Sequence, residues 1–184
     1  MKSLQGHLLI AAPKLRDPNF FRSVVLLVQH DEQGSLGLVL NRPLDVSVRS
    51  AWKQLSQTPC EIDGTLHQGG PCEGCLMALH TDVEASDMEV TEGVQFSTTK
   101  DAIEHLVSHG QGRSVRLFVG YAGWSSGQLE AELADGSWLS TPADFDRVFD
   151  AKSHAWEHLL RKVSREALLQ FMDPKIVPED PRVN

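Results

Sequence analysis

Residues 120–133, GYAGWSSGQLEAEL, contain the pattern G-x-S-x-G, with Ser125 at its centre. This pattern is typical of a nucleophile elbow, in which a serine sits on a sharp turn between a strand and a helix. Such a serine needs a histidine to accept its proton and an acid to orient that histidine. An apolar run precedes Ser125 and a helical pattern follows it, so the local order fits. Ser125 is therefore a candidate catalytic residue of a serine hydrolase.

The surrounding sequence favours a structural role for the same serine. His154 and His158 follow Ser125 in the chain, but they lie at the start of a predicted amphipathic helix and not on a loop. No HGG-type oxyanion segment occurs near the N-terminus. Ser125 and Gln128 fit the S-x-x-Q capping box, in which Ser125 caps the helix and Gln128 reaches back. We therefore expect a helix cap, with the nucleophile as the alternative.

A second group of residues has the chemistry of a metal or thiol site. His67, Cys72, Cys75 and His80 form H-x4-C-x2-C-x4-H, and zinc prefers such nitrogen and sulfur ligands. The Cys72/Cys75 pair also fits a redox role. However, residues 75–81 are predicted to form a strand, where an offset of five puts Cys75 and His80 on opposite faces. We therefore expect no metal, no cofactor and two reduced thiols.

Polar and aromatic residues beside the predicted strands form a third candidate, a binding site for a small molecule or a protein partner. Its residues are Asp17, Asn19, Arg22, His30, Asn41, Arg42, Trp124, Gln128 and Glu130. The alternative is structural, with an ion pair between Arg22 and Asp17, Trp124 in the core, and His30 bonded to loop backbone. The sequence leaves both interpretations open.

The composition excludes several classes of function. The chain of 184 residues has a formal net charge of −8, which disfavours direct binding to nucleic acid. Its three cysteines are too few and odd in number for a secreted disulfide framework. No apolar run approaches the ~20 residues of a membrane span. We therefore expect a cytoplasmic protein with no membrane segment.

The pattern of apolar residues predicts a mixed α/β domain over residues 1–172 and an extended, proline-containing tail over 173–184. Apolar runs at 23–29 and 36–40, joined by a turn, predict a hairpin over 22–41. The clearest amphipathic helix carries Trp156, Leu159, Leu160, Val163, Ala167 and Leu168 on one face. Thr141, Pro142 and Asp144 predict a helix that begins at Pro142.

Residues 6–43, together with GYAGW-x-x-GQLE-x-EL at 120–133 and QGGP at 68–71, resemble the YqgE/AlgH family of bacterial proteins. The resemblance implies an α/β (α+β) fold with a mixed, branched β-sheet curled into a pseudo-barrel with flanking helices. It also implies no established catalytic activity, although one member carries the label of transcriptional regulator of alginate production. Relatives often have Gly or Ala at position 125, which disfavours a nucleophile there.

Together these observations predict a non-enzymatic binding or regulatory module that acts through an unknown protein or small-molecule partner. The alternatives are a serine hydrolase that uses Ser125 and a metal or thiol site at Cys72 and Cys75.

Overall fold

The structure is a computed structural model that describes residues 3–151 and 154–171. The predicted tail at 173–184 lies outside the described residues. The strands are β1 His7–Ala11, β2 Val24–Asp31, β3 Gly34–Val39, β4 Pro43–Ser47, β5 Thr65–Gln68, β6 Cys72–His80, β7 Met88–Thr91, β8 Val94–Ser97, β9 Val115–Ser125 and β10 Trp138–Pro142. The helices are α1 Val48–Leu55, α2 Lys100–His109, α3 Gln128–Ala134, α4 Phe145–Phe149 and α5 Ala155–Phe171.

The strands form one sheet that branches at its longest strand, β9. The main path runs β10-β1-β2-β3-β9-β6-β8-β7, and β5 joins β9 in parallel while also pairing with β4. The C-terminal end of β9 pairs with β3, from Ala122 to Ser125, whereas its earlier residues pair with β6 and β5. The described residues therefore form the mixed, branched sheet with flanking helices that the resemblance implies, within a single domain.

The sheet curls until strands from its two ends approach each other at Gly6. The amide of Ala143, just after β10, donates to the Gly6 carbonyl at 2.9 Å. A Cβ on Gly6 would lie 2.9 Å from the Val90 carbonyl oxygen in β7, and Gly6 has a left-handed φ of +74°. Only glycine fits such a close contact with that backbone conformation. The conformation of Gly6 thus allows the half-barrel to curl.

Two clusters of buried residues lie on opposite faces of β9. Phe118 packs with Leu8, Leu26 and Leu38 inside the curl, whereas its neighbour Leu117 packs beneath α1 and α2. Successive side chains of a strand point to opposite faces, so β9 contributes to both clusters. This explains why β9 is apolar at both parities, as is β2, where Val24 to Val28 are at most 1% exposed.

The predicted helix at Thr141 and Pro142 is wrong. Both residues belong to β10, where Thr141 pairs with Leu8 and Pro142 with His7 of β1. The helix α4 begins three residues later, and its cap is Asp144, whose carboxylate accepts the Arg147 amide at 2.9 Å. Pairing with β1 therefore outweighs the local helix signal.

Candidate functional site

Ser125 is the last residue of β9 and does not cap α3. The cap is Gly127, which adopts a left-handed φ of +74°. Gln128 does reach back as predicted, since its Oε1 accepts the Ser125 amide at 3.1 Å and the Ser125 hydroxyl at 3.2 Å. The capping-box prediction is thus half right. The turn inserts Ser126 and Gly127 between strand and helix, which moves the serine too far back to cap.

His30, which contacts α3 just after this turn, is hydrogen-bonded at both ring nitrogens. His30 is buried near the end of β2, and its Nδ1 accepts the Leu4 amide at 2.8 Å. Its Nε2 therefore carries the proton and donates to Glu130 Oε1 at 2.7 Å. This bond lowers the pKa of Glu130. His30 thus joins the N-terminal segment to α3, and its ring has no free nitrogen with which to activate Ser125.

Trp124 is a core residue and not an exposed binding group. It is 5% exposed, and its indole N–H donates to Glu132 Oε2 at 2.9 Å. The Trp138 indole donates to the same oxygen at 2.8 Å, and Gln128 donates to Glu132 Oε1 at 2.9 Å. Glu132 is therefore the central acceptor of this end of the molecule. Sequence reasoning missed its role, although Gln128 and Glu132 have the i, i+4 spacing of a helix pair.

The side chains of Asn41 and Arg42, after β3, form hydrogen bonds with backbone groups in the loop before β2 and at the start of β2. Asn41 Oδ1 accepts the Val24 amide at 2.9 Å, and its Nδ2 donates to the Arg22 carbonyl at 2.9 Å. Asp17 Oδ1 accepts the Asn19 amide at 2.7 Å. The Arg42 guanidinium donates to a carbonyl of the same loop, that of Pro18, at 3.3 Å. These contacts hold the loop before β2 against the end of β3.

The structural alternative of an ion pair between Arg22 and Asp17 is wrong. Arg22 instead lies 3.8 Å from Glu157 and 5.2 Å from the centre of the Trp156 ring, both on α5. Its φ of +54° is left-handed, and the bond from Asn41 to its carbonyl helps to hold that conformation. Arg22 therefore contacts α5 and not Asp17.

These predicted site residues do not form one site. His30, Gln128 and Glu130 lie near the turn of the β2–β3 hairpin, whereas Asp17, Asn19, Arg22, Asn41 and Arg42 lie at its open end. The 8 residues of β2 span roughly 26 Å at ~3.3 Å per residue, which keeps His30 away from that open end. Trp124 reaches between the two groups, because its ring stacks on Phe20 of the loop before β2 with ring centres 5.9 Å apart.

The candidate metal ligands are also separated. His80 is buried, with Nε2 2.9 Å from the Ser97 hydroxyl and Nδ1 accepting the Asp82 amide at 3.2 Å. Cys75 is exposed, and Cys72 is half-buried beside Gly123. Across residues 3–151 and 154–171, no three His, Cys, Asp or Glu side chains are placed to hold a metal ion. All three cysteines are free.

A cleft of about 240 Å³ lies where β5 and β9 meet α1 and α4, and its wall includes a buried arginine. Arg116 is 8% exposed, and its guanidinium donates to the backbone carbonyls of Leu40 and Val148. Within the described part of the chain it makes no ion pair with a carboxylate. The remaining lining residues are Val48, Asp63, Gly64, Thr65, His67, Val115, Phe149, Asp150 and Ala151.

His67 lies beside Arg116 in this cleft, and its buried Nδ1 makes no hydrogen bond. Both side chains contact the Phe118 ring, at 5.3 Å between ring centres for His67 and 5.4 Å for the Arg116 guanidinium. Burial and the positive charge of Arg116 lower the pKa of His67 to about 4, against the backbone carbonyls of Leu117 and Thr65, which act to raise it, so the ring is neutral at pH 7. Burial also lowers the pKa of Arg116 to about 10, which leaves it charged.

The other buried polar atom without a hydrogen bond in the described residues has compensation of a different kind. Asp82 Oδ2 lies against Arg113 and 3.4 Å from His105, so the positive charge of Arg113 compensates for the missing hydrogen bond. The Arg116 cleft has the opposite character, because it holds a buried cation and an unused imidazole nitrogen. Sequence reasoning missed Arg116, although a charged residue within the apolar run 115–119 is a detectable signal.

None of the described helices is long and apolar enough to cross a membrane. A family model described as AlgH-like (DUF179) matches residues 8–167. A UPF0301 protein of Chlorobaculum tepidum is 40% identical over 177 residues, which cover 93% of this chain and 92% of the relative. Another, from Thioalkalivibrio sulfidiphilus, is 40% identical over 149 residues, or 77% and 78% of the two chains.

Solved structures agree with these sequence relationships. The solution structure of the AlgH protein from Pseudomonas aeruginosa superposes with a TM-score of 0.72 at 34% identity, covering 94% of this chain and 98% of that one. A crystal structure of a Corynebacterium diphtheriae protein gives a TM-score of 0.70 at 25% identity, over 88% of each chain. The family model, the sequence relatives and the shared fold agree, and the chain belongs to the AlgH-like family of uncharacterised proteins.

Proposed function

We propose that this protein is a non-enzymatic binding module that holds a small molecule in the Arg116 cleft. The observation that carries the proposal is a buried guanidinium, beside an open cleft, with only backbone carbonyls as partners. Burial of a charge without an ion partner costs free energy. Strongly perturbed groups beside a cleft are typical of functional sites.

A purely structural role for Arg116 explains less. Its bonds to Leu40 and Val148 join the end of β3 to α4, which is what a clamp would do. A clamp does not require a cleft beside it, nor a neighbouring histidine nitrogen that is buried and unbonded. A ligand that enters the cleft accounts for all three features, because it would supply partners that the protein does not.

The hydrolase alternative has less support than the binding module. The Ser125 hydroxyl donates to an amide oxygen, which cannot act as a general base at neutral pH. Both ring nitrogens of His30 are hydrogen-bonded, to Leu4 and to Glu130, so His30 has no nitrogen free to act as the base for Ser125. We therefore assign the elbow to stability and the cleft to binding.

We further propose a cytoplasmic location and a regulatory role that does not pass through direct DNA contact. Three free cysteines fit a reducing compartment. With a net charge of −8, we expect no measurable binding to random duplex DNA at about 150 mM salt. An electrophoretic shift that weakens steeply with added salt would contradict this part of the proposal.

The binding proposal is tested by a thermal-shift screen of a small-molecule fragment library. Thr65 is exposed at the cleft, and Thr65→Trp should fill its mouth without touching Arg116. Compounds that raise the melting temperature of the wild type should lose that effect in Thr65→Trp and keep it in Ser140→Trp, a control at an exposed strand residue of β10. Equal responses in all three proteins would place binding elsewhere and refute the cleft.

A further inference from the structure

The charge of the Arg116 cleft selects among classes of ligand. Arg116 supplies one positive charge, and His67 is neutral at pH 7 because its pKa is lowered to about 4. Two carboxylates line the same cleft. Asp63 is paired with Arg49 at 2.9 Å, whereas Asp150, at the end of α4, adds a negative charge. Because Asp150 already places one negative charge in the cleft, a dianion meets more repulsion there than a monoanion that pairs with Arg116.

The shape and polarity of the cleft restrict the rest of the ligand. Val48, Val115 and Phe149 give it apolar walls, and its volume is about 240 Å³. This space admits a small organic body and not only an inorganic ion. The planar guanidinium carries more N–H donors than its two carbonyl bonds use, and its fork matches the geometry of a carboxylate. The ligand therefore needs a compact planar anion on a short apolar group.

We propose, on the basis of the binding function proposed above, that the ligand is a monocarboxylate with a short apolar body, its carboxylate facing Arg116 and His67. The neutral imidazole contributes hydrogen bonding and no second charge. Phosphate esters and inorganic phosphate, which carry nearly two negative charges at pH 7.5, bind poorly in the same cleft.

Three probes of similar size test this selectivity by NMR titration at pH 7.5: benzoate, neutral benzamide and phenyl phosphate. Benzoate should shift the amide signals of Gly64, Thr65 and Phe149 and bind at least about tenfold more tightly than the other two, because it alone combines a charge-assisted bond to Arg116 with only one negative charge near Asp150. Arg116→Met should remove the preference for benzoate over benzamide. Thr65→Trp should abolish the cleft shifts with Arg116 intact, which keeps the test valid if Arg116→Met does not fold.

The outcomes separate the two proposals. Tighter binding of phenyl phosphate at the cleft, or equal binding of benzamide, overturns the monocarboxylate and leaves cleft binding in place. The same holds if fragments of another class shift the cleft amides while benzoate does not. If neither the probes nor the fragment library shifts any cleft amide, both the ligand class and the binding function are wrong.

Discussion

The two ends of β9 carry polar residues of opposite character. At its C-terminal end, the side chains that look most like an active site are all occupied: Ser125 by Gln128, His30 by Glu130 and Leu4, and Trp124 by Glu132. Near its start, Arg116 is buried without an ion partner in the described residues, next to a histidine nitrogen that has no hydrogen bond. A match to a catalytic motif, as at Ser125, is therefore weaker evidence of function than a buried charged side chain without an ion partner, as at Arg116.

This comparison predicts that stability depends most on the residue that organises the elbow end. Glu132→Ala would leave two buried indole N–H groups, of Trp124 and Trp138, without their acceptor. We expect a loss of about 2–4 kcal/mol in the free energy of unfolding. Urea denaturation measures it, with Glu132→Gln as the control, because the amide oxygen still accepts and the loss should be clearly smaller. Equal losses for Ala and Gln would refute a hydrogen-bonding role.

The pH dependence of stability should separate the neutral histidines from the carboxylates of the elbow. The pKa values of His67 and His80 fall from 6.5 to about 4 on folding, so below pH 6.5 the unfolded chain binds protons that the folded chain does not. Stability should therefore fall as the pH drops from 6.5 to about 4, and then stop responding to these two groups. Glu130, whose pKa is lowered from 4.5, contributes stability that is lost only as the pH falls below about 4.5.

Replacement of His67 by Gln should flatten the stability curve in that window, as measured by urea denaturation at a series of pH values. His109→Gln, at an exposed histidine of α2, is the matched control and should leave the slope unchanged. A slope unaffected by His67→Gln would mean that the cleft histidine is not held neutral by its surroundings.

The smallest effects on stability should come from the G-x-S-x-G segment around Ser125. Gln128→Ala removes the bonds to Ser125 and Glu132 and should cost about 0.5–1.5 kcal/mol. Ser125→Ala removes only an exposed hydroxyl and should stay within about 0.5 kcal/mol of the wild type. Chemical denaturation of both variants gives the ranking. A larger loss of stability for Ser125→Ala than for Gln128→Ala would instead support Ser125 as the cap of α3.

The parts of the fold that follow from local sequence were predicted well. The hairpin over 22–41 is confirmed by β2 and β3, because both runs are apolar and a turn joins them. The amphipathic face of α5 is confirmed for Trp156, Leu159, Leu160 and Val163, which pack on the core. The side chains of Ala167 and Leu168 lie outside the described residues.

The features that depend on distant partners could not be read from local patterns. Residues 138–142 form a strand only because β1 lies beside them, despite the proline at 142. Arg116 is buried because its guanidinium donates to the carbonyls of Leu40 and Val148, which lie 76 and 32 residues away in sequence. The same limit applies to the predicted binding residues, since Arg22 before β2 and His30 near its end both lie beside a strand end in sequence but at opposite ends of β2 in the structure.

A crystallographic fragment screen reports on both ends of β9 in one experiment. We expect ligand density in the Arg116 cleft, with a polar atom of the fragment within hydrogen-bond distance of the guanidinium or of His67. We expect no fragment bonded to the Ser125 hydroxyl. Fragments that bind Ser125 while the cleft stays empty would refute the binding role of the cleft and make Ser125 the candidate active-site residue again.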